Sequence, residues 1–444
     1  MASTSVLIKF SGSRDALETV FGVLESHKNE DYYAYEREDT WYIGLGSKAS
    51  LSINHTGENI TVTGERNERD YSVDKDSTVV IVREFVSANS TSGNRIYGQA
   101  GFNYAAYIRN QKFNIGKWPL LSLMVPRIEI TLCGPNITIT GLDEEEVIDL
   151  FQLIKHDLSR LDLANLPTTM KVNTHSTTGE YITRVKNALS EIAREKYVKV
   201  VLSRAVDISD KIDMPKTLLL GRRSNTPARS FSMHHMDMKA TGFSPELVLS
   251  VKNGKVTTEP LAGTRSCKGT AEEVAQLRHE LLHDPKEIAE HMISVKEAIR
   301  ELIQVCSRDT IAVEELMSIR ERGPVQHLGS TISGLLSPDK DIWDAFGVLF
   351  PSITASGAPK SSAIEAIQRL ESTPRELYSG AVLFIEGPEN LEAALVLRSV
   401  FQDSSRQWIQ AGAGVILKSN PQRELTETEE KLASIAPFVV ADLG

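Results

Sequence analysis

Strand-like stretches recur along this chain, helix signals alternate with them in its second half, and several read as meanders rather than through the long helical crossovers that parallel neighbours require. In the first half they include "SVLIKF", "DYYAYERED", "TWYIGLG", "NITVTG" and "RIEITLCGPNITITG". The last reads as a hairpin turning at Gly134-Pro135-Asn136. In the second half they include "YVKVVLSRAVDI", "SFSMHH", "ELVLSVKNGKVTTEP", "GAVLFIEG", "LEAALVLRSVFQD" and "RQWIQAGAGVIL". Helical periodicity appears in "SRDALETVFGVLESH" and "DEEEVIDLFQLIKHDLSRL", then over 180–195, 271–282, 285–305, 360–370 and 421–435. Several strands read as meanders, so the pattern predicts one large α/β body of the α+β kind, antiparallel or mixed. The polar stretch "LPTTMKVNTHSTTGE" (166–180) marks a boundary between a strand-rich half, 1–170, and a second half, 171–444.

Charge and cysteine usage narrow the function. The net charge is −10 and no long basic run occurs, which argues against nucleic acid or an anionic membrane as partner. Cys133, Cys267 and Cys306 have neither zinc-site nor disulfide-framework spacing, which fits a reducing compartment. "MASTSVLIKF" has no signal-peptide pattern, and no apolar run is long enough to cross a bilayer. A cytoplasmic location is therefore expected. No Rossmann fingerprint or P-loop is present, and the "GAG" at 412–414 is a weak phosphate signal by itself.

A few polar residues sit where apolar ones would pack. Lys199, in "YVKVVLSR", shares a strand face with Val201 and Ser203. Either that face meets water or the lysine works in a cleft. Arg398, in "LVLRSVF", is a second cation in an apolar strand. Glu246 opens a strand after "TGFSP"; there it is either exposed or buried with a raised pKa, which would make it an acid. His327 precedes a small-residue run, where a structural role is the commoner one. "EPLAGTR", "ITASGAPK" and "AGAGV" read as glycine-containing loops, able to offer backbone N–H groups to a carboxylate.

Two helices each carry Glu-x-x-Glu. In "DPKEIAEHMISVKEAIRELI", Asp284 is the N-cap and Pro285 the first helical residue. Ile288, Met292, Val295, Ile299 and Leu302 form its apolar stripe, and Glu287 and Glu290 point off that stripe. In "NPQRELTETEEKL", Asn420 caps, and Glu424, Glu427 and Lys431 share one stripe. Solvated helix faces explain both patterns. If the two helices faced each other, the four carboxylates would suit a hard divalent cation.

Together these stretches resemble the chorismate-utilising enzymes. The likeness is carried in order by "KVVLSR", "GFSPELV", "TEPLAGTR", "KEIAEH", "RERGPVQHLGS", "TASGAPK", "LYSGAV", "ALVLRS", "AGAGVI" and the final Glu-rich helix, from about 197 to 431. Residues 1–170 have a fitting length but few motifs. The pattern is most similar to that of the single-chain salicylate synthases of siderophore pathways. The resemblance implies one chorismate-binding α/β body, with two strand-rich halves packed around a central cleft and helices outside. It implies Mg²⁺, with Glu290 and Glu427 as direct ligands and Glu287 and Glu424 in outer or water-mediated positions.

The resemblance also implies roles. Lys199 matches the base that activates water for attack at C2 of chorismate. A lysine takes a proton from water only when neutral, a form that burial and a nearby cation favour. Glu246 matches the acid that releases the C4 hydroxyl. Arg398 and Tyr378 match the grip on the side-chain carboxylate, with backbone N–H help near Gly412. Thr264, His327, Thr354 and Lys431 match further substrate-binding positions. Ala262 stands where aminodeoxychorismate synthases commonly carry a nucleophilic lysine, which argues against that chemistry. The implied reaction runs from chorismate through isochorismate to salicylate and pyruvate, in a monomer with no glutamine amidotransferase subunit. An isochorismate synthase that stops before elimination is the alternative; an anthranilate synthase is disfavoured by Lys199.

Overall fold

The structure, a computed structural model, describes residues 4–9, 15–64, 67–72, 75–90, 93–157 and 169–442. Among them run twenty-one strands, and every strand pairing is antiparallel. The expected meander pattern is thus the pattern of the fold.

Two long strands form the spine. Thr40–Ile53 pairs along nearly its whole length with Leu121–Cys133. On its other edge Leu121–Cys133 changes partner. Leu121–Met124 pair with Arg95–Ala100, and Ile128–Cys133 pair with Asn136–Gly141. Pro126 lies at this break, opposite Ser47, and the register with Thr40–Ile53 shifts just there. Proline cannot donate to a ladder, and a bulge bends the strand that carries it. The spine therefore feeds two diverging runs of strands.

One run passes through Tyr32–Arg37, Arg229–His235, Met238–Ser244, Ser399–Gln402 and Gln407–Ile416 to Lys199–Ile208. The other passes through Arg95–Ala100, Ala381–Glu386, Leu391–Leu395, Leu247–Lys252 and Lys255–Thr258 to Val325–Leu335. Strands from before residue 157 hydrogen-bond directly to strands from after residue 169 in both runs. The largest buried apolar cluster likewise joins Leu123, Leu249, Leu383 and Val415.

Helices cover the outside. Pro285–Leu302 packs on the strands Leu261–Ser266 and Val325–Leu335, and Pro421–Leu432 packs on Gln407–Ile416. Both begin as expected: the Asp284 carboxylate accepts from the N–H groups of Lys286 and Glu287, and the Asn420 side chain from those of Gln422 and Arg423. Both end three residues before the periodicity runs out. Tight turn bonds take the last carbonyls, Gln304 N to Glu301 O and Ile435 N to Leu432 O among them.

Three details differ from the sequence reading. The hairpin turns on Gly134-Pro135 alone, because Asn136 already pairs with Cys133. Residues 178–180 of the polar boundary stretch begin the helix Thr178–Ala193, while 166–168 lie outside the described residues, as does the end of "DEEEVIDLFQLIKHDLSRL". "AGAGV" is not a loop but the middle of the strand Gln407–Ile416, paired with the Lys199 strand, and most of "EPLAGTR" is likewise the strand Leu261–Ser266.

Candidate active site

The two runs of strands enclose a cleft lined by Glu246, Thr264, Glu290, His327, Thr354, Tyr378, Arg398, Gly412, Glu427 and Lys431, with Ala262 in the same wall. Of the expected site residues, only Lys199, Glu287 and Glu424 lie behind that lining.

One end of the cleft is acidic. The helices Pro285–Leu302 and Pro421–Leu432 do face each other: the Lys286 ammonium reaches Glu290 Oε2 at 3.1 Å, Glu424 Oε1 at 3.4 Å and Glu287 Oε1 at 3.5 Å. All four carboxylates are buried. The expected apolar stripe of the first helix is therefore incomplete. Its inward face carries Glu287, Glu290, His291 and Ser294 beside Val295 and Leu302, while Met292 is exposed. A helix that walls a polar cleft turns polar groups inward, and amphipathic periodicity cannot display that.

Charge sorts these acids. Burial raises the Glu424 pKa, and the neighbouring Glu427 charge adds to it. Burial likewise raises Glu287. For Glu427, burial is outweighed by the Lys431 and Lys286 ammoniums, which hold it well below the usual carboxylate range. Glu290 is held low against burial by Lys199 and Lys286.

This donor set fits a hard divalent cation. All four donors are carboxylates, and Oε2 of Glu424 and Oε2 of Glu287 are buried without a hydrogen-bond partner. As the side chains stand, no three such groups converge closely enough to hold a metal among the described residues, because the Lys286 ammonium lies between them.

Lys199 stands beside this cluster. It is 1% exposed, and its Nζ contacts Glu290 Oε1 at 3.0 Å and Ser294 Oγ at 3.1 Å. The face carrying Lys199 therefore does not meet water. Glycine makes room for it. A Cβ on Gly414 would lie 2.1 Å from Glu290 Oε1 and 3.1 Å from Lys199 Cε. On Gly412 it would lie 3.0 Å from the Tyr378 hydroxyl. The glycines of "AGAGV" serve close approach within a strand.

Glu246 is buried at the head of the strand Leu247–Lys252. It accepts from the backbone N–H of Leu261 at 2.9 Å, from Ser352 Oγ at 3.0 Å and from Thr354 Oγ1. Burial outweighs these donors and lifts its pKa to about 7. A carboxyl group in that state can hold a proton at neutral pH and give it up.

Arg398 does not sit within a strand, as expected, but just before Ser399–Gln402, with φ of 52°. It is buried, and among the described residues no carboxylate forms a salt bridge with it. Its Nη1 donates to Arg322 O at 2.7 Å, and Nη2 donates to His327 Nε2. His327 Nδ1 meets Gly263 O at 3.0 Å and Thr264 Oγ1 at 3.2 Å. Burial, with the Arg398 charge adding, keeps this imidazole neutral. A buried guanidinium without an anionic partner is built to receive one. Lys431, paired to Glu427 at 2.7 Å, donates to Gly412 O at 2.9 Å on the same side as Tyr378.

Comparison with known proteins gives the family. The family description "chorismate binding enzyme" matches residues 30–437. The chain belongs to the chorismate-binding enzymes. A salicylate synthase from Mycolicibacterium paratuberculosis is 36% identical over 430 residues, which is 94% of this chain and 92% of that protein. Component 1 of anthranilate synthase from Methanothermobacter thermautotrophicus is 35% identical over 258 residues, 57% of this chain and 55% of its own length. Among solved structures, the menaquinone-specific isochorismate synthase of Escherichia coli superposes with a TM-score of 0.72 at 21% identity, covering 98% of this chain and 94% of its own. Anthranilate synthase component I of Streptococcus pneumoniae gives 0.74 at 22%, covering 91% and 92%. These two share the fold. Among the described residues no helix is long and apolar enough to cross a membrane.

Some residues at this cleft escaped the sequence reading. Lys286 sits one place before Glu287, and its charge next to an expected ligand was a usable signal. Arg265, which bonds Glu287 and Asp284, and Ser352, which bonds Glu246, gave none.

Gly414→Ala should lower turnover by about 100-fold, because its methyl group displaces Glu290 and Lys199 from their present contacts. The melting temperature should stay within a few degrees, since the atoms that must yield are side-chain ends. Wild-type turnover would show that these two side chains need not sit where they do. Glu246 supplies a second test. Its acid ionises near 7 when folded against 4.5 unfolded, so its stabilising effect is complete below 4.5 and is lost as pH rises through 7. The melting temperature of wild type relative to Glu246→Gln should therefore fall between pH 5 and 7.5. Parallel curves would mean that Glu246 is ionised throughout.

Proposed function

We propose that this chain is a Mg²⁺-dependent salicylate synthase that converts chorismate through isochorismate to salicylate and pyruvate, in the cytoplasm and without an amidotransferase partner. The observation that carries the reading is the pairing of a buried amine, Lys199, beside the acidic cluster with a buried carboxyl, Glu246, whose pKa lies near neutrality. The likeness of nearly the whole chain to a named salicylate synthase supports it.

Chorismate carries carboxylates and needs cations in the cleft. Arg398 binds the side-chain carboxylate, helped by Tyr378 and the backbone near Gly412, while Thr264, His327, Thr354 and Lys431 shape the rest of the pocket. Neutral His327 orients Arg398 without competing for the anion. Glu290 and Glu427 would hold Mg²⁺ directly, with Glu287 and Glu424 through water. The ion would neutralise the ring carboxylate and its developing charge.

Lys199 first releases to solvent the proton it carries in its contact with Glu290, and the neutral amine then takes a proton from the water that attacks C2. Glu246 gives its proton to the departing C4 hydroxyl. Thr354 and Ser352, on the same carboxyl group, aim it. The double bonds shift and isochorismate forms. The second step is an intramolecular hydrogen transfer from C2 to the enolpyruvyl methylene as the ether bond at C3 breaks. It asks for positioning rather than acid–base chemistry. Ala262 leaves no lysine for covalent capture of the ring.

Chorismate and Mg²⁺ alone should yield salicylate, read by fluorescence, and an equal amount of pyruvate, read by a lactate dehydrogenase couple. Lys199→Gln should lose ~10²–10⁴-fold in chorismate consumption while keeping its fold. Steady accumulation of isochorismate without pyruvate would make the chain an isochorismate synthase instead.

A further inference from the structure

Behind the cleft, outside its lining, lies a fully buried ion pair. Glu371 ends the helix Lys360–Leu370, and Arg375 follows four residues later; they are 5% and 2% exposed. The guanidinium grips the carboxylate with both prongs, Nε to Oε2 at 2.8 Å and Nη2 to Oε1 at 2.7 Å. Its other N–H groups reach three separate pieces of the site. Nη2 donates to Val201 O at 2.6 Å, and Nη1 to Ala355 O at 2.9 Å and to Ser379 Oγ at 3.4 Å. All five donors of the side chain are thereby used. Glu371 Oε1 in turn accepts from Ser203 N at 2.7 Å and Ser203 Oγ at 3.0 Å.

Each attachment point adjoins a residue of the proposed chemistry. Val201 and Ser203 follow Lys199 on the same strand, Ala355 follows Thr354, which bonds Glu246, and Ser379 follows Tyr378. A pair this buried is weak evidence for stability, since apolar side chains of similar volume often serve as well. It does fix geometry, because its bonds are directional and its partners lie on three different elements. We propose that Glu371 and Arg375 are positioning residues, which together hold the base strand, the loop that aims the acid and the Tyr378 turn in one fixed relation. The proposal rests on the functional reading above for the roles of Lys199, Glu246 and Tyr378.

The test is the double variant Glu371→Leu/Arg375→Met in the full chain, which removes both charges together and leaves neither buried alone. Its melting temperature should stay within about 5 °C of wild type. Its kcat on chorismate with Mg²⁺ should fall about 100-fold, because base and acid lose their mutual alignment. KM should move by no more than about threefold, since Arg398 is held independently by Arg322 and His327. Wild-type kcat in the folded variant overturns the proposal. So does a destabilised variant whose folded molecules, assayed in the cold, turn over at the wild-type rate. If the double variant does not fold, Arg375→Lys decides: it keeps the charge paired but loses the fork, and kcat should fall about tenfold. Amide hydrogen exchange separates this claim from the functional reading. Should wild type leave chorismate untouched, that reading fails, yet faster exchange at 199–203 and 354–358 in the variant still supports the positioning role, and unchanged exchange refutes it.

Discussion

Four buried carboxylates at the mouths of two helices would repel one another and the low-dielectric interior alike; cations alone make their burial tolerable. Lys286 lies among three of them, Lys431 pairs with Glu427, Lys199 with Glu290 and Arg265 with Glu287. The rest of the cleft follows from this constraint. The acids keep the amines in place, and the amines, one of them the proposed base, keep Glu290 and Glu427 ionised. Removing one member would leave its partner's charge less compensated, a cost that Lys286, in contact with three of the acids, offsets in part.

The other end of the cleft shows the opposite imbalance. Among the described residues the hydrogen-bond partners of buried Arg398 are neutral, a carbonyl and an imidazole, and Glu246 is a carboxyl group that burial carries close to neutrality. A dianion with a leaving hydroxyl completes both: one group needs a negative charge and the other has a proton to give. The antiparallel sheet makes the two ends meet. Its two runs diverge at Pro126 and enclose the space between the Lys199 strand and the strand that Glu246 precedes. Small residues line the crossing points, so charged side chains can approach backbone that a Cβ would otherwise block.

Much of this was legible in the chain. Strands that read as meanders pointed to an antiparallel or mixed sheet, and Asp284-Pro285 and Asn420-Pro421 fixed where the two Glu-x-x-Glu helices begin. Lys199 betrayed itself as a charge in an apolar run. Residue order could not show that the two acidic helices face each other, because that contact joins segments more than a hundred residues apart. Met292 misled for a related reason: periodicity treats every inward face as apolar, while this one is half polar. "AGAGV" looked like a loop because glycine marks turns more often than crowded strands. The Glu371–Arg375 pair was silent, since an i, i+4 ion pair in sequence is the signature of an exposed helix face. Its burial is a property of the three elements that close over it.

The central claim is that water, activated beside Lys199, supplies the new oxygen at C2. Turnover of chorismate in water enriched in oxygen-18 tests it directly. The account predicts salicylate whose phenolic oxygen carries the label, two mass units heavier, formed together with pyruvate. Unlabelled salicylate, or an aminated product that appears only when ammonia is supplied, would contradict it.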